Sequence, residues 1–321
     1  MTHAQATDTH PGELADVPGW FPALDQTLFT WFLEQQKKSG IKGDLLELGV
    51  YLGKSAILLG HHLQDGERFT VCDLFEGDAP DEANKAESSK SYASLTQQAF
   101  ERNYLSFHDT LPTVITGPSS LVDEKVSPDS CRFIHIDASH LYEHVHGDIG
   151  AAHDILLPEG VVVLDDFRSE HTPGVSVAAW EAVLNRGLRP ICLSTQKMYA
   201  TWGDPEPLQE ELLAMLRQRS DVGLSVQEAA GHRLIRTRSR GMKPPAFPPS
   251  RHYVEPAPAA APMATETRAA RPARPAPSRA RRLAKDLLPP LVTRAVRRAR
   301  AKRSTVAHAA DRAGAAGGAG R

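Results

Sequence analysis

DLLELGVYLGKS, residues 44–55, reads as a short strand that runs into a glycine turn and then into a helix. Asp44–Val50 is an apolar run interrupted only by acidic residues. Gly49 and Gly53 give the turn backbone freedom that side chains deny. Helical spacing of apolar residues resumes over Lys54–Leu63. A strand, a glycine turn and a helix together open a crossover unit, and such units build parallel sheets.

Downstream the alternation repeats. Strand-like runs occupy Arg68–Phe75, Thr113–Thr116, Arg132–Asp137 and Gly160–Asp166. Helical patterns cover Tyr92–Leu105, Tyr142–Leu156 and Val175–Asn185, and a polar stretch with acidic bias, Glu76–Ser91, delays the first of these. Two β-rich runs, Arg189–Ser194 and Lys197–Trp202, flank a two-residue turn and predict an antiparallel hairpin. A polar helix near Pro207–Arg219 and a short strand at Arg233–Thr237 follow. The expected fold is α/β: a Rossmann-like, doubly wound, mainly parallel sheet with a C-terminal antiparallel hairpin and a disordered basic tail. Residues 1–39 form an N-terminal lead-in and helix, 40–240 the main domain, and 241–321 the tail.

Composition separates body from tail. The chain has 321 residues and a net charge of −2, yet residues 241–321 carry 17 Lys and Arg against 4 Asp and Glu. The first 240 residues carry 20 basic against 35 acidic side chains. A body this acidic argues against holding nucleic acid on a broad basic face. The Pro/Ala/Arg-rich tail has too little apolar surface to offset chain entropy. Its segment Arg282–Arg303 has helical potential broken by Pro289 and Pro290; it reads first as a solvated basic tail without a fixed partner, and otherwise as a segment that could settle on acidic lipid, on nucleic acid or on this protein's own acidic surface. Three cysteines, Cys72, Cys131 and Cys192, exclude a disulfide scaffold and read as small buried hydrophobes of a reducing compartment. No basic start precedes an apolar stretch at the N-terminus, and no run reaches about 18 apolar residues. These features predict a soluble, cytoplasmic body.

Open parallel sheets bind ligands at the carboxyl ends of their strands. The first strand ends in Glu47-x-Gly49-x-x-x-Gly53-Lys54-Ser55, where the glycines admit a ligand and the helix N-terminus favours an anion. A purely structural turn would use the same glycines. The second ends in Asp73, a carboxylate suited to ribose hydroxyls, or to a helix cap. The third ends in Gly117-Pro118-Ser119-Ser120, small enough to line an adenine pocket. The fourth ends in Asp137-Ala138-Ser139-His140, and the fifth in Asp165-Asp166. Three carboxylates on adjacent strand ends repel one another unless a cation or protons intervene. Oxygen ligands of this kind suit Mg²⁺, Mn²⁺ or Ca²⁺, with His140 placed to take a proton from a hydroxyl. His140-Leu-Tyr-Glu143-His144 also spells H-x-x-E-H, an inverted zinc-protease pattern, but it straddles a strand-to-helix junction.

These strand ends resemble the class I S-adenosylmethionine-dependent methyltransferases. LLELGVYLGKSA is similar to their first motif, VCDLFE to their second, and FIHIDASHLYEHV with VVVLDDF to the later ones. Asp137-x-x-His140 followed by Asp165-Asp166 resembles the metal-dependent O-methyltransferases of macrolide sugars, over about residues 40–203. The resemblance implies that Glu47, Gly49, Gly53 and Ser55 shape the site for the cofactor's amino-acid end. By the same likeness Asp73 holds the ribose, and Gly117 with Ser119 borders the adenine. Asp137, Asp165 and Asp166 would bind Mg²⁺, with His140 as general base. Relatives often carry Asp-Gly-Asp where this chain has Asp137-Ala138-Ser139, which removes one oxygen ligand. The expected activity is O-methylation of a sugar or other natural-product hydroxyl, with no nucleic acid at the active site and a homo-oligomer compatible with the sequence. A metal-dependent hydroxylase or hydrolase on the same core, and a non-catalytic interaction protein, are the rivals.

Overall fold

The computed structural model describes residues 10–77 and 95–255. Most of the polar stretch Glu76–Ser91, the expected helix start at Tyr92, and the tail beyond Glu255 lie outside these residues. Among the described residues nine strands form one sheet. They are β1 Asp44–Leu48, β2 Phe69–Asp73, β3 Thr113–Thr116, β4 Cys131–Ile136, β5 Leu156–Leu164, β6 Arg189–Leu193, β7 Met198–Thr201, β8 Val222–Ala229 and β9 His232–Ser239. The main helices are α1 Ala23–Lys38, α2 Lys54–His61, α3 Gln97–Leu105, α4 Tyr142–Ile155, α5 Pro173–Asn185 and α6 Glu206–Arg217.

The strand order is β3-β2-β1-β4-β5-β7-β6-β9-β8. β1 to β5 pair in parallel, β7 runs antiparallel beside β5, and β6 turns back against β7. The chain winds outward from β1 to β3 and then returns to β4 on the other side of β1. That reversal leaves a crevice beyond the carboxyl ends of β1 and β4.

Strand alternation sorts the core into two layers. Leu45, Val71, Phe133, Val161 and Val163 face α1, α2, α3 and α6, where Leu28, Phe29, Ile57, Phe100 and Leu212 are fully buried. Leu46, Leu48, Ile134, Ile136 and Leu164 face α4 and α5 through Ile149, Ile155 and Ala178. The three cysteines are buried and free. Among the described residues no helix is long and apolar enough to cross a membrane.

Two features differ from the sequence expectation. β8 is an additional strand, joined to β9 by a turn in which Ala230 (φ 51°) and Gly231 (φ 76°) are both left-handed. Its outer half, Ser225, Gln227 and Glu228 among it, is exposed, so no apolar alternation marks it. Residues 241–255, assigned to the tail by composition, lie against the domain instead. Met242 is buried, Phe247 stacks edge-on against His61, and the Ser250 hydroxyl and amide donate to Pro11 and Gly12 carbonyls. A few anchoring side chains suffice where the average composition predicts none. A chain ending after Arg240 is therefore expected to melt roughly 5–10 °C below one ending after Glu255. Equal melting temperatures in a calorimetric scan would contradict that packing.

Candidate active site

A cavity of 670 Å³ opens at the carboxyl edge of β1 to β5, large enough for a nucleotide-sized ligand. Nine of the residues singled out from the sequence line it: Gly49, Ser55, Asp73, Gly117, Ser119, Asp137, His140, Asp165 and Asp166. Gly49 is required there by contact as well as by conformation. Its φ is 79°, and a Cβ would sit 2.0 Å from the Asp137 carbonyl oxygen.

Glu47 and Gly53 are not among the lining residues. Glu47 shares the face of β1 that carries Leu45, away from the α4 side, and is fully buried. Its Oε1 lies 2.7 Å from His135 Nδ1 on β4. Gly53 (φ 91°) precedes α2, and its missing side chain admits the Phe100 ring, 3.0 Å from a notional Cβ. Both residues therefore sit beneath the turn, behind the side chains that line the cavity.

Asp73 ends β2 and fastens the glycine turn. Its Oδ2 accepts from the amides of Val50 (2.7 Å) and Tyr51 (3.1 Å), and its Oδ1 accepts from Phe75 (2.8 Å). Burial pushes its pKa up, opposed by these three donors. Oδ2 is thus saturated by two amides, while Oδ1 retains acceptor capacity and can still receive a ligand hydroxyl.

Asp148 on α4 was not anticipated. It lines the cavity beside Ser119, is 3% exposed, and its Oδ2 is buried without a hydrogen-bond partner. Burial raises its pKa from 3.8 to about 6, against the Ser119 hydroxyl hydrogen bond. The fold therefore takes up a proton between pH 4 and 6. The stabilisation from this group is full below pH 4 and lost as pH rises through 6, a difference of roughly 3 kcal/mol. Asp148→Asn is expected to melt higher than the unmodified chain at pH 7.5 and to flatten the pH profile between 4 and 6. An unchanged melting temperature at pH 7.5 would contradict the burial argument.

The acidic strand ends carry an internal cation. Lys197, at the start of the β7 segment, is 1% exposed, and its Nζ contacts Asp165 Oδ2 directly. It also lies 3.3 Å from His135 Nε2. Burial lowers the Lys197 pKa, while Asp137, Asp25 and Glu47 oppose that shift. Burial likewise raises Asp137, and Lys197 pulls it back. The repulsion expected among three carboxylates is thus relieved in part from within the chain. Only the sheet pairing of β7 beside β5 brings Lys197 there; in sequence it is one lysine at the edge of a hairpin.

Asp166 faces the other way, toward His140. His140 Nε2 lies 3.2 Å from Asp166 Oδ2, and the Ser169 hydroxyl donates to Oδ1 at 2.6 Å. The His140 hydrogen bond is the main reason that Asp166 is held below the usual carboxylate range. Asp166 sits in left-handed backbone (φ 52°), with Thr172 donating to its carbonyl. The H-x-x-E-H pattern does not assemble: His140 lies before α4, while His144 Nδ1 meets Ser139 Oγ at 2.9 Å.

The Mg²⁺ site implied by the sequence resemblance needs Asp137, Asp165 and Asp166 together. Among the described residues the side chains whose ligand atoms converge are His135/Asp137/Asp165 and Asp137/His140/Asp166. The first group already holds the Lys197 ammonium. In the second, Asp166 is engaged by His140 and Ser169. The expected carboxylate triad is not offered as a free set, because Asp165 belongs to Lys197.

Residues 46–167 match the family described as a methyltransferase domain. The matched stretch runs from within β1 past the end of β5, the strands whose carboxyl ends border the cavity. Residues 46–167 are a methyltransferase domain. No curated protein gives a significant match. Among solved structures, the chain is similar to the O-methyltransferase NovP, at 19% identity over 56% of this chain and 81% of that one (TM-score 0.44). It is also similar to CalS11, a TDP-rhamnose 3'-O-methyltransferase of calicheamicin biosynthesis (17%; 57% and 82%; 0.39). A third is MycE of the mycinamycin pathway, solved with Mg, SAH and mycinamycin VI (13%; 61% and 56%; 0.37). The methyltransferase domain includes Asp73, Asp137, His140, Asp165 and Asp166 but ends before Lys197, which comes from the strands that follow.

Proposed function

We propose that the methyltransferase domain moves the methyl group of S-adenosylmethionine to a hydroxyl of a sugar or sugar-bearing small molecule, with His140 as general base. The observation that carries the reading is that the His140–Asp166 pair opens on the same cavity as Gly49, Asp73, Gly117 and Ser119. The adenosine half of the donor fits the end of the cavity bounded by Asp73, Gly117 and Ser119. Its amino-acid end faces Ser55 and the start of α2. The acceptor then approaches from the His140, His171 and Trp20 side. Trp20 is exposed and rests on Tyr51 at 5.6 Å between ring centroids, a flat apolar surface at the lip of the cavity.

In this reading Asp166 holds the His140 ring through Nε2, and the imidazole takes the acceptor's proton. The hydroxyl oxygen forms its bond to the methyl carbon as the carbon–sulfur bond breaks, and S-adenosylhomocysteine leaves as a neutral thioether. Placement of the two substrates supplies most of the acceleration, because the transferred group is already activated as a sulfonium. The base adds the factor expected of a well-placed proton acceptor. The H-x-x-E-H alternative has no assembled site, so hydrolytic chemistry is not favoured.

The experiment is methyl transfer from isotopically labelled S-adenosylmethionine to a panel of nucleotide sugars and glycosylated natural products. Label is expected in an ether-linked methyl group of at least one sugar hydroxyl. Transfer only to nitrogen or carbon acceptors would contradict the hydroxyl assignment.

A further inference from the structure

The geometry points to Lys197 as the resident cation of this site: its ammonium neutralises the Asp137 and Asp165 strand ends, so methyl transfer here proceeds without a divalent metal ion. This rests on the methyl-transfer reading above. The backbone fixes the arrangement. β5 and β7 pair antiparallel with Leu164 opposite Met198, and extending that register by one residue sets Asp165 opposite Lys197. The ammonium contacts Asp165 Oδ2, while Asp165 Oδ1 accepts the Asp166 amide at 2.7 Å. His135 closes the far side, its Nε2 3.3 Å from Nζ and its Nδ1 held by Glu47. Asp25, held by the Tyr199 hydroxyl at 2.7 Å, completes the acidic surroundings.

An ammonium buried this deeply persists only where carboxylates surround it. Once it is there, the same carboxylates have little left to offer a dication, which would also be repelled by the lysine. The second convergent group shares Asp137 with the first, and an ion there would have to displace the proton that His140 Nε2 shares with Asp166. Mg²⁺ also demands near-octahedral oxygen ligation, and Ala138-Ser139 supplies no further carboxylate. Lys197 therefore acts as a positioning residue. It keeps Asp165 and Asp137 in place, and through the Asp165–Asp166 turn it sets where Asp166 holds His140.

Calorimetric titration of the full chain with MgCl₂ tests this, after chelator treatment and with S-adenosylhomocysteine present. The unmodified chain is expected to show no saturable binding below the millimolar range. Lys197→Met, which keeps the apolar stem and removes the charge, is expected to bind Mg²⁺ at least about tenfold tighter. Turnover of the unmodified enzyme is expected to be equal in EDTA and in added Mg²⁺. Micromolar Mg²⁺ binding by the unmodified chain, or EDTA-abolished turnover restored by Mg²⁺, would overturn the assignment. So would a folded Lys197→Met variant with unaltered Mg²⁺ affinity, and if that variant does not fold the unmodified chain decides the matter alone. Failure of S-adenosylhomocysteine to bind would instead count against the methyl-transfer reading, since the metal titration is read independently.

Discussion

Replacing His140 with alanine is expected to lower kcat for hydroxyl methylation by about 10²–10⁴-fold. Affinity for S-adenosylhomocysteine is expected to stay within about twofold of the unmodified chain. His140 follows β4 with its Nε2 on Asp166, and it lines the cavity from a strand that β1 separates from β2, which ends in Asp73. It can therefore influence the acceptor's proton without touching the adenosine. A loss confined to kcat, with cofactor affinity kept, is the signature of an interaction made only during reaction. Undiminished kcat in the variant would remove His140 from the mechanism, and an equal collapse of cofactor binding would make its role structural.

Asp73→Ala should act on the opposite half of the site. Three backbone amides, those of Val50, Tyr51 and Phe75, donate to this carboxylate. Its removal leaves them unsatisfied and frees the glycine turn that Gly49 threads past Asp137. It also removes the acceptor proposed for the ribose hydroxyls. S-Adenosylhomocysteine binding is expected to weaken by roughly 10–100-fold, which corresponds to one or two well-made hydrogen bonds in a buried setting. The melting temperature without cofactor should fall as well. Identical calorimetric affinity in the variant would contradict the assignment.

Much of this site was legible because a charge that closes an apolar strand stands out against its neighbours. Asp73, Asp137, His140 and Asp166 were found that way, and the cavity collects all four. Glu47 broke the same rule for a simple geometric reason. Side chains alternate along a strand, so Glu47 shares the face of Leu45 and is enclosed beneath α1, where His135 receives it. Asp165 and Asp166 are adjacent and looked equivalent, yet the left-handed backbone at Asp166 sends the two carboxylates to different partners, Lys197 and His140. Lys197 was illegible because only the nonlocal pairing of β7 with β5 gives it meaning. Asp148 reads in sequence as an ordinary polar helix residue, and only the approach of Ser119 from the end of β3 reveals it as buried. β8 escaped because its exposed half has no apolar face to impose a period of two.

Calorimetric titration of the intact chain with S-adenosylhomocysteine is the most direct test of whether this strand-end cavity is a donor site. One molecule per chain is expected to bind, with a matching rise in melting temperature, and Asp73→Ala should diminish both. Absence of heat and of any thermal shift at millimolar ligand would contradict the account at its root.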